Sequence, residues 1–397
     1  MKKIGILFGM ENTFPWAVID RINSMGLKDI MAEAVKIDMV SQADPTPYAV
    51  ILDRISQDVP FYRAYLKNAA ISGTAVMNNP FWWSADEKFF NNALAVKIGV
   101  PVPKTVILPS YERPTDTSEN SFRNLEYPLS WEKIFDHIGW PAYMKPFDGG
   151  GWKHVYKLRN KEEFFDAYHK TEQIVMILQE EVIFEEYYRC YCLGGKYVKI
   201  MQYEPRNPSH LRYVIDNPNQ DKKLLKTIED YVLKLNHALG YDFNTVEMAV
   251  RNGIPYAIDF CNPAPDADLH SVGQENFDWV VEHAAKMLVE RAQSHREGVD
   301  NLTWGYFVQR SVARQVLHDA VDKTKETAQK VVKAVNEKVE EAKKSDTGKK
   351  VIAAVKQATE KAKSVEKQIE KKASEVSKKA ETKIKEVVAD AKKAAKK

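Results

Sequence analysis

A lysine and three glycines follow one another where a predicted strand ends. The segment Met144-Lys145-Pro146-Phe147-Asp148 leads directly into Gly149-Gly150-Gly151. The ammonium group of Lys145 could pair with the negative charge of a phosphate. Residues without a Cβ would let backbone N–H groups approach the same phosphate. The same glycines would also suit a plain flexible hairpin, so both interpretations stay open. No G-x-x-x-x-G-K-[ST] motif occurs in the sequence, which excludes a P-loop.

Two carboxylates and one amide lie on or just after two neighbouring predicted strands. Glu247 belongs to the strand at residues 245–250, Asp259 belongs to the strand at residues 254–260, and Asn262 follows. Carboxylate and amide oxygens suit Mg²⁺ that bridges phosphates. The alternative is that the two acids are solvated strand residues, which is the more common state of acidic side chains.

This metal hypothesis makes a prediction about the turn between the two strands. A two-residue turn at 252–253 would pair Arg251 with Ile254 and put the two carboxylates on opposite faces. A three-residue loop with a left-handed Gly253 would pair Val250 with Ile254 and put both carboxylates on one face. A metal site therefore predicts the three-residue loop.

The elements that position these residues begin with an alternating pattern in the first hundred residues. Predicted strands cover residues 4–8, 35–40, 49–52 and 74–77, and predicted helices cover residues 15–25, 60–71 and 84–98. Ser84 and Glu87 form a capping-box pattern at the start of the third helix. The alternation implies a parallel sheet covered by helices, and it contains no G-x-G-x-x-G motif.

From residue 101 to about residue 310 the pattern changes to strands with few helices. Further predicted strands cover residues 142–146, 174–179, 188–193 and 196–202, and an amphipathic helix covers residues 221–239. Gly194-Gly195 predicts a tight turn, and Gly240 predicts the end of the helix. This region is expected to be α+β with a core of its own.

The last part of the chain has a composition of its own. Residues 321–397 carry 23 Lys and 13 acidic side chains, a net charge of +10, with no aromatic residue and no Pro. Apolar residues recur between Ala358 and Ala391 with an eleven-residue period, which favours a straight or slightly right-handed helix. A solvated, helical or partly disordered extension is the favoured interpretation, and contact with polyanions is the alternative. The small apolar residues argue against strong membrane binding.

The cysteines and the hydropathy of the sequence argue against a disulfide-stabilised protein, a zinc protein and a membrane-spanning protein. Cys190, Cys192 and Cys261 are too few for a disulfide framework and lack a zinc-site spacing. The sequence contains no run of about 18 apolar residues, so we expect no transmembrane helix. The apolar run at residues 4–10 is better explained as a first strand than as a signal peptide. We expect a cytoplasmic protein.

Four motifs occur in an order that resembles the ATP-grasp superfamily of ATP-dependent ligases. The first motif is D-E-K at residues 86–88 followed by G-V-P-V-P at residues 99–103, which together resemble its lysine helix and the entry into its nucleotide domain. The strand lysine with its glycine loop, the acidic hinge at residues 179–182 and the acid, acid, asparagine set follow. In D-F-C-N at residues 259–262 the acid is shorter and one residue is added relative to the family's Glu-x-Asn, which leaves the role of Asn262 open.

The resemblance covers roughly residues 1–310 and implies a fold. An α/β Rossmann-like N-terminal domain at residues 1–100 would precede a two-lobed α+β ATP-grasp domain. The first lobe would span residues 101–182 and the second residues 183–316, with the basic tail at residues 317–397 as a helical or coiled-coil extension.

The resemblance also implies ATP and Mg²⁺ as cofactors, with a role for each site residue. The phosphates would be contacted by Lys88 and Lys145 and covered by Gly149, Gly150 and Gly151. The adenine hinge would contain Glu180 and Glu181, and the ribose would be bound by Glu185 or Glu186. The magnesium ligands would be Glu247, Asp259 and Asn262. The negative charge that develops on a transferred phosphoryl group also requires a cation. The candidates are Arg206 and Arg212, with Arg189 ranked behind them. The alternative for these side chains is that they form surface salt bridges.

The implied reaction converts a carboxylate to an acyl phosphate, which an amine or thiol then attacks. Both substrates would be small molecules, and a homo-oligomer is compatible with the motifs. One alternative keeps the fold but transfers the phosphoryl group to another acceptor. A third hypothesis is a nucleotide-binding interaction protein that works through its basic tail.

Overall fold

The computed structural model describes residues 1–81, 87–149, 153–213 and 221–296, together with helical Gln329, Lys330, Lys333 and Glu337. The described residues up to 296 belong to one compact unit. Apart from those four residues, the predicted tail lies outside the described part. None of the helices in these ranges is long and apolar enough to cross a membrane.

A four-stranded parallel sheet forms the N-terminal part, which confirms the predicted parallel arrangement. Its strands stand in the order β2, β1, β3, β4. They are β1 (Lys2–Leu7), β2 (Ile30–Ala34), β3 (Tyr48–Asp53) and β4 (Ala75–Met77), and the helices of this part are α1 (Phe14–Ser24), α2 (Pro60–Ile71) and α3 (Lys88–Lys97). A proline in the first turn of α1 and of α2 presets the backbone for helix at a position that needs no N–H.

The strand predicted at residues 35–40 is wrong, because β2 ends at Ala34. The Val35 amide still donates to the Ile6 carbonyl at 3.0 Å, and the chain then leaves the sheet. Met39 and Val40 are exposed, so the apolar residues of this run have no buried face to occupy. Tertiary context overrides their strand propensity.

The start of the third helix also differs from the prediction. Helix α3 begins at Lys88 with Glu87 in the N-cap position, and Ser84 lies outside the described residues. The Lys88 amide donates to the Phe147 carbonyl at 2.6 Å. A contact with the segment that follows the strand lysine therefore satisfies one of the free amides of the first helical turn.

A second sheet is antiparallel, with strands in the order β5, β8, β6, β7. The strands are β5 (Thr105–Leu108), β6 (Ala142–Pro146), β7 (Tyr156–Leu158) and β8 (Met176–Glu180), and the helices are α4 (Trp131–Ile138) and α5 (Lys161–Tyr168). Aromatic side chains of the helices fill its core, with the Phe135 and Phe164 rings 5.0 Å apart. This packing holds β6, and with it the strand lysine.

A third sheet is also antiparallel, with strands in the order β10, β9, β11, β12. The strands are β9 (Glu186–Leu193), β10 (Tyr197–Gln202), β11 (Phe243–Arg251) and β12 (Ile254–Asp259), and the helices are α6 (Lys222–Leu239), α7 (Leu269–Val272) and α8 (Gln274–Ser294). Leu224, Ile228 and Leu235 of α6 cover one face. Gly240 ends α6 with a left-handed φ of 68°, as predicted.

Helix α8 joins the third sheet to the N-terminal sheet. It packs against α1, β1, β3 and β9, so that both sheets contribute to one hydrophobic core. Alternation along β9 and β11 sends Tyr188 and Met248 towards α6 and leaves Tyr187 and Ala249 on the other face. The candidate site lies on that other face.

Candidate functional site

The turn between β11 and β12 has two residues. Arg251 pairs with Ile254, and φ is 53° at Asn252 and 72° at Gly253. The three-residue loop that the metal hypothesis predicted is therefore wrong. Positive φ at both central positions defines the type I′ turn, for which Asn-Gly is the preferred dipeptide and which matches the twist of the strands.

A β-bulge nevertheless brings the two carboxylates together. Met248 pairs with Ala257, whereas Glu247 pairs with Asp259, so Ile258 is an extra residue in β12. An extra residue reverses the alternation of the strand beyond it. The bulge rather than the turn thus places Glu247 and Asp259 in direct register on one face.

Strand β9 adds a cation and a hydroxyl group on the other side of β11. Arg189 is the cross-strand partner of Glu247, and its Nε lies 3.9 Å from Glu247 Oε1. The Tyr187 hydroxyl donates to Glu247 Oε2 at 2.6 Å. Arg189, Glu247 and Asp259 therefore form a row across three adjacent strands.

Burial raises the pKa of the Glu247 carboxyl group above its ordinary value. The Arg189 cation lowers it, the Asp259 carboxylate raises it further, and the Tyr187 hydrogen bond and the Lys145 cation lower it. Two carboxylates in register, one of them desolvated, are stabilised by a cation placed between them. This donor set fits Mg²⁺, which takes one or two protein carboxylates and completes its shell with phosphate and water oxygens.

Asn262 is fixed close to the end of β12 through its backbone. Its N–H donates to Asn244 Oδ1 at 2.8 Å, and buried Asn244 in turn donates to the Phe260 carbonyl at 2.8 Å. The Asn262 side chain is half-buried and has no hydrogen bond to another described residue. Across the described ranges, no three His, Cys, Asp or Glu side chains are grouped closely enough to hold a metal ion.

Of the two predicted lysines, Lys145 lies near the carboxylate pair, and Lys88 lies near Lys145. Burial lowers the pKa of the Lys145 ammonium group; Asp259 and Glu247 oppose that shift, and Lys88 adds to it. No described side chain forms an ion pair with Lys145. The Lys88 ammonium donates to the Gly149 carbonyl. Gly149 has a φ of 73°, a conformation that favours glycine. Gly150 and Gly151, which are also predicted to cover the phosphates, lie outside the described residues.

The two hinge acids are held by ion pairs. Arg251 Nη2 donates to Glu180 Oε1 at 2.9 Å, and Lys157 Nζ donates to Glu181 Oε1 at 2.6 Å. The backbone amide of Glu180 donates to the Lys104 carbonyl at 3.0 Å. The tip of the β11–β12 hairpin therefore contacts the segment predicted to bind adenine.

The two ribose candidates also have partners within the protein. The Asn252 amide donates to Glu185 Oε2 at 3.0 Å, which stabilises the type I′ turn. The Tyr188 hydroxyl donates to Glu186 Oε2 at 2.6 Å. Burial raises the pKa of Tyr188, and its bond to Glu186 adds to the shift, so this hydroxyl remains a donor.

Arg206 and Arg212 are held by local contacts. Arg206 pairs with Glu204 at 2.5 Å and lies 4.5 Å from the centre of the Phe184 ring. Arg212 Nε donates to the Asn207 carbonyl at 3.0 Å. Neither forms an ion pair with the carboxylate pair, whereas Arg189, which the sequence ranked lower, is next to it. Tyr187 was not singled out at all, because a tyrosine in a strand has no distinguishing sequence signal.

Known proteins resemble this chain in structure rather than in sequence. No family model matches the sequence, and no curated protein matches it. VanG D-Ala:D-Ser ligase from Enterococcus faecalis is similar with a TM-score of 0.53 at 14% identity, over 73% of this chain and 99% of that chain.

Two further solved structures are similar over nearly their whole lengths. D-alanine–D-alanine ligase from Bacillus anthracis, complexed with ATP, gives a TM-score of 0.52 at 15% identity, over 74% of this chain and 96% of that one. A RimK domain protein ATP-grasp from Sphaerobacter thermophilus gives 0.52 at 15% identity, over 74% and 100%. The motifs, the three sheets and these similarities agree: the chain has the ATP-grasp fold.

Proposed function

We propose that this protein is an ATP- and Mg²⁺-dependent ligase that activates a carboxylate as an acyl phosphate for attack by an amine or a thiol. The observation that carries the proposal is the row of Arg189, Glu247 and Asp259 across three strands. The Lys145 ammonium, which forms no ion pair with a described side chain, lies nearby. The similar solved structures include two ligases, one of them complexed with ATP.

Glu247 and Asp259 would hold Mg²⁺. The Asn262 side-chain amide, which has no hydrogen bond to another described residue, is a third candidate ligand. The ion, when bound, would neutralise charge on the phosphates. Tyr187 occupies one side of the Glu247 carboxylate at 2.6 Å and so fixes its orientation. The other oxygen, Oε1, faces Arg189 across 3.9 Å, which leaves it free to approach a metal ion.

Lys145 and Lys88 would bind the α- and β-phosphates. A partly desolvated ammonium group that, like that of Lys145, forms no ion pair within the described part of the chain is stabilised when an anionic ligand binds. Lys88 holds the Gly149 carbonyl and thereby orients the start of the loop, in which Gly149, Gly150 and Gly151 would cover the phosphates.

Arg189 is the best placed of the three arginines to meet charge that develops on a transferred phosphoryl group. Arg206 and Arg212 remain candidates, but each would first have to leave its contact with Glu204 or with the Asn207 carbonyl. Arg189 needs no rearrangement, because its strand register already places it beside Glu247.

Glu180 and Glu181 would lie at the adenine, and Glu186 or Glu185 at the ribose. A nucleotide that contacts these carboxylates would have to replace bonds that they already make. Glu180 and Glu181 would give up their bonds to Arg251 and Lys157, and Glu186 would give up its bond to Tyr188. Nucleotide binding should therefore rearrange the hinge ion pairs.

Product analysis tests this proposal. Purified protein with Mg²⁺ and ATP is incubated with pools of carboxylic acids, amines and thiols, and ADP, phosphate and new masses are measured. A ligase releases ADP and free phosphate together with an amide or thioester. Phosphate retained on the acceptor would instead establish a phosphotransferase and contradict the ligase proposal.

A further inference from the structure

A cavity lies where the carboxyl ends of β3 and β4 meet the start of β11. Its walls include Asp53 at the end of β3, Asn78 and Asn79 just after β4, and Tyr241 just before β11. The cavity has a volume of about 40 Å³. One water molecule needs roughly 10–15 Å³, so a group of about three or four non-hydrogen atoms fits.

One side chain in the wall of this cavity is buried and has an unused donor. Asn79 is only 7% exposed, and its Nδ2 has no hydrogen-bond partner in the described part of the chain. Its Oδ1 accepts a bond from the Phe81 amide at 3.0 Å, which fixes the orientation of the side chain. Buried donors in proteins normally have a partner, because an unsatisfied one costs free energy. The Asn79 amide therefore indicates a ligand in the cavity.

The neighbouring polar groups already have partners within the protein. Asn78 Nδ2 donates to the Pro263 carbonyl at 2.9 Å. Asp53 accepts a bond from the Ser56 hydroxyl and another from the Ser56 amide at 2.9 Å. These bonds hold the walls of the cavity in place and leave the Asn79 amide available to a ligand.

The walls also restrict the chemistry of that ligand. An N–H donor needs an acceptor, so a cation or an apolar group would leave Asn79 unsatisfied. The Arg63 guanidinium lines the same cavity and offsets the negative charge of Asp53. A carbonyl oxygen therefore suits the cavity, whether it belongs to a carboxylate or to a neutral group.

We propose that this cavity binds a small carbonyl-containing molecule, either a carboxylate or a neutral carbonyl compound, through the Asn79 amide. The cavity lies apart from the proposed phosphate site. The Phe243 amide, which donates to Asn78 Oδ1 at 2.7 Å, precedes Glu247 by four residues, or about 13 Å along a strand. The inference does not depend on the proposed function.

Asn79→Asp tests the site, because it removes both N–H donors and keeps the oxygen that accepts from Phe81. Asn120→Asp is the matched control: Asn120 is exposed, and its Oδ1 likewise accepts a bond, from Arg123 at 2.9 Å. The probes are acetate and acetone, which have the same number of non-hydrogen atoms and no N–H donor. Scanning calorimetry measures the melting temperature of wild type and both variants as the concentration of each probe rises.

We expect at least one probe to raise the melting temperature of wild type and of Asn120→Asp to a plateau, because a ligand that binds the folded state stabilises it. The apparent dissociation constant should be at least tenfold larger for Asn79→Asp. A response confined to acetate assigns the site to a carboxylate, and a response confined to acetone assigns it to a neutral carbonyl group. A response to both shows that the carbonyl oxygen alone is recognised.

Two results would overturn the proposal. They are the absence of a plateau with either probe in wild type, which would leave the cavity to water, and equal responses of all three proteins. Wild type labelled with ¹⁵N-asparagine gives a second test that needs no variant. One side-chain NH₂ signal should shift with the same dissociation constant, and unchanged side-chain amide signals would contradict binding through Asn79.

Discussion

At the scale of single residues, the site depends on charges that are only partly compensated. Glu247 is desolvated beside another carboxylate, Lys145 is desolvated without an ion pair to a described residue, and Arg189 Nε has no hydrogen-bond partner there. Each arrangement costs free energy in the ligand-free protein and is relieved by a ligand of opposite charge. Charged side chains that are only partly compensated are typical of ligand-binding sites, where they contribute to binding at the expense of stability in the ligand-free protein.

Glu247→Gln tests the metal assignment. The amide keeps the size of the side chain and can still accept a bond from Tyr187, but it removes the charge that would hold Mg²⁺. We expect the gain in ATP affinity on addition of Mg²⁺ to fall at least tenfold, measured calorimetrically at several Mg²⁺ concentrations. Glu290→Gln, in a surface pair with Lys196, is the control. An unchanged magnesium dependence in Glu247→Gln would place the metal elsewhere.

At the scale of elements, hairpin β11–β12 shows what the sequence could and could not predict. Alternation and turn residues were enough to predict both strands, but the metal hypothesis predicted a three-residue loop where the hairpin has a two-residue turn. The register was not predictable from them, because the extra residue Ile258 has no distinctive sequence signal and depends on pairing with β11. The same holds for Arg189, whose importance follows from its being opposite Glu247. Residues 35–40 have a strand-like pattern but no neighbouring strand to cover them.

Gly253→Ala tests the turn. Nothing lies within 4 Å of a Cβ built at Gly253, so the change introduces no clash and acts only through the φ of 72°. An L-residue with a Cβ is strained there, and we expect the free energy of unfolding to fall by about 1 kcal/mol in urea denaturation. Gly253→Asn, which tolerates this conformation better, should lose less. Equal stabilities of Gly253→Ala and wild type would contradict the type I′ turn.

At the scale of the whole molecule, stability should depend on pH through Asp242, next to the start of β11. Burial raises the pKa of its carboxyl group to about 6, with Arg291 opposing the shift. Because the folded state holds this proton more tightly than the unfolded chain, Asp242 makes folding less favourable as the pH rises from about 4 to 6. Above about pH 7 nearly the full cost, about 3 kcal/mol, is present.

Asp242→Asn should therefore be more stable than wild type by about 3 kcal/mol at pH 7.5, with the difference shrinking towards pH 4.5. Denaturant unfolding at a series of pH values measures this difference directly. Asp166→Asn, at an exposed position on α5, should match wild type throughout. A constant difference between Asp242→Asn and wild type across this range would show that Asp242 is not titrating with a raised pKa.

The central claim is that the desolvated Lys145 ammonium group binds the phosphates of ATP beside a magnesium site. Calorimetric titration of ATP, with and without Mg²⁺, into wild type, Lys145→Ala and the surface control Lys196→Ala tests it most directly. We predict Mg²⁺-dependent binding to wild type and Lys196→Ala that is lost in Lys145→Ala. Equal binding to Lys145→Ala and wild type, or no binding to wild type at all, would contradict it.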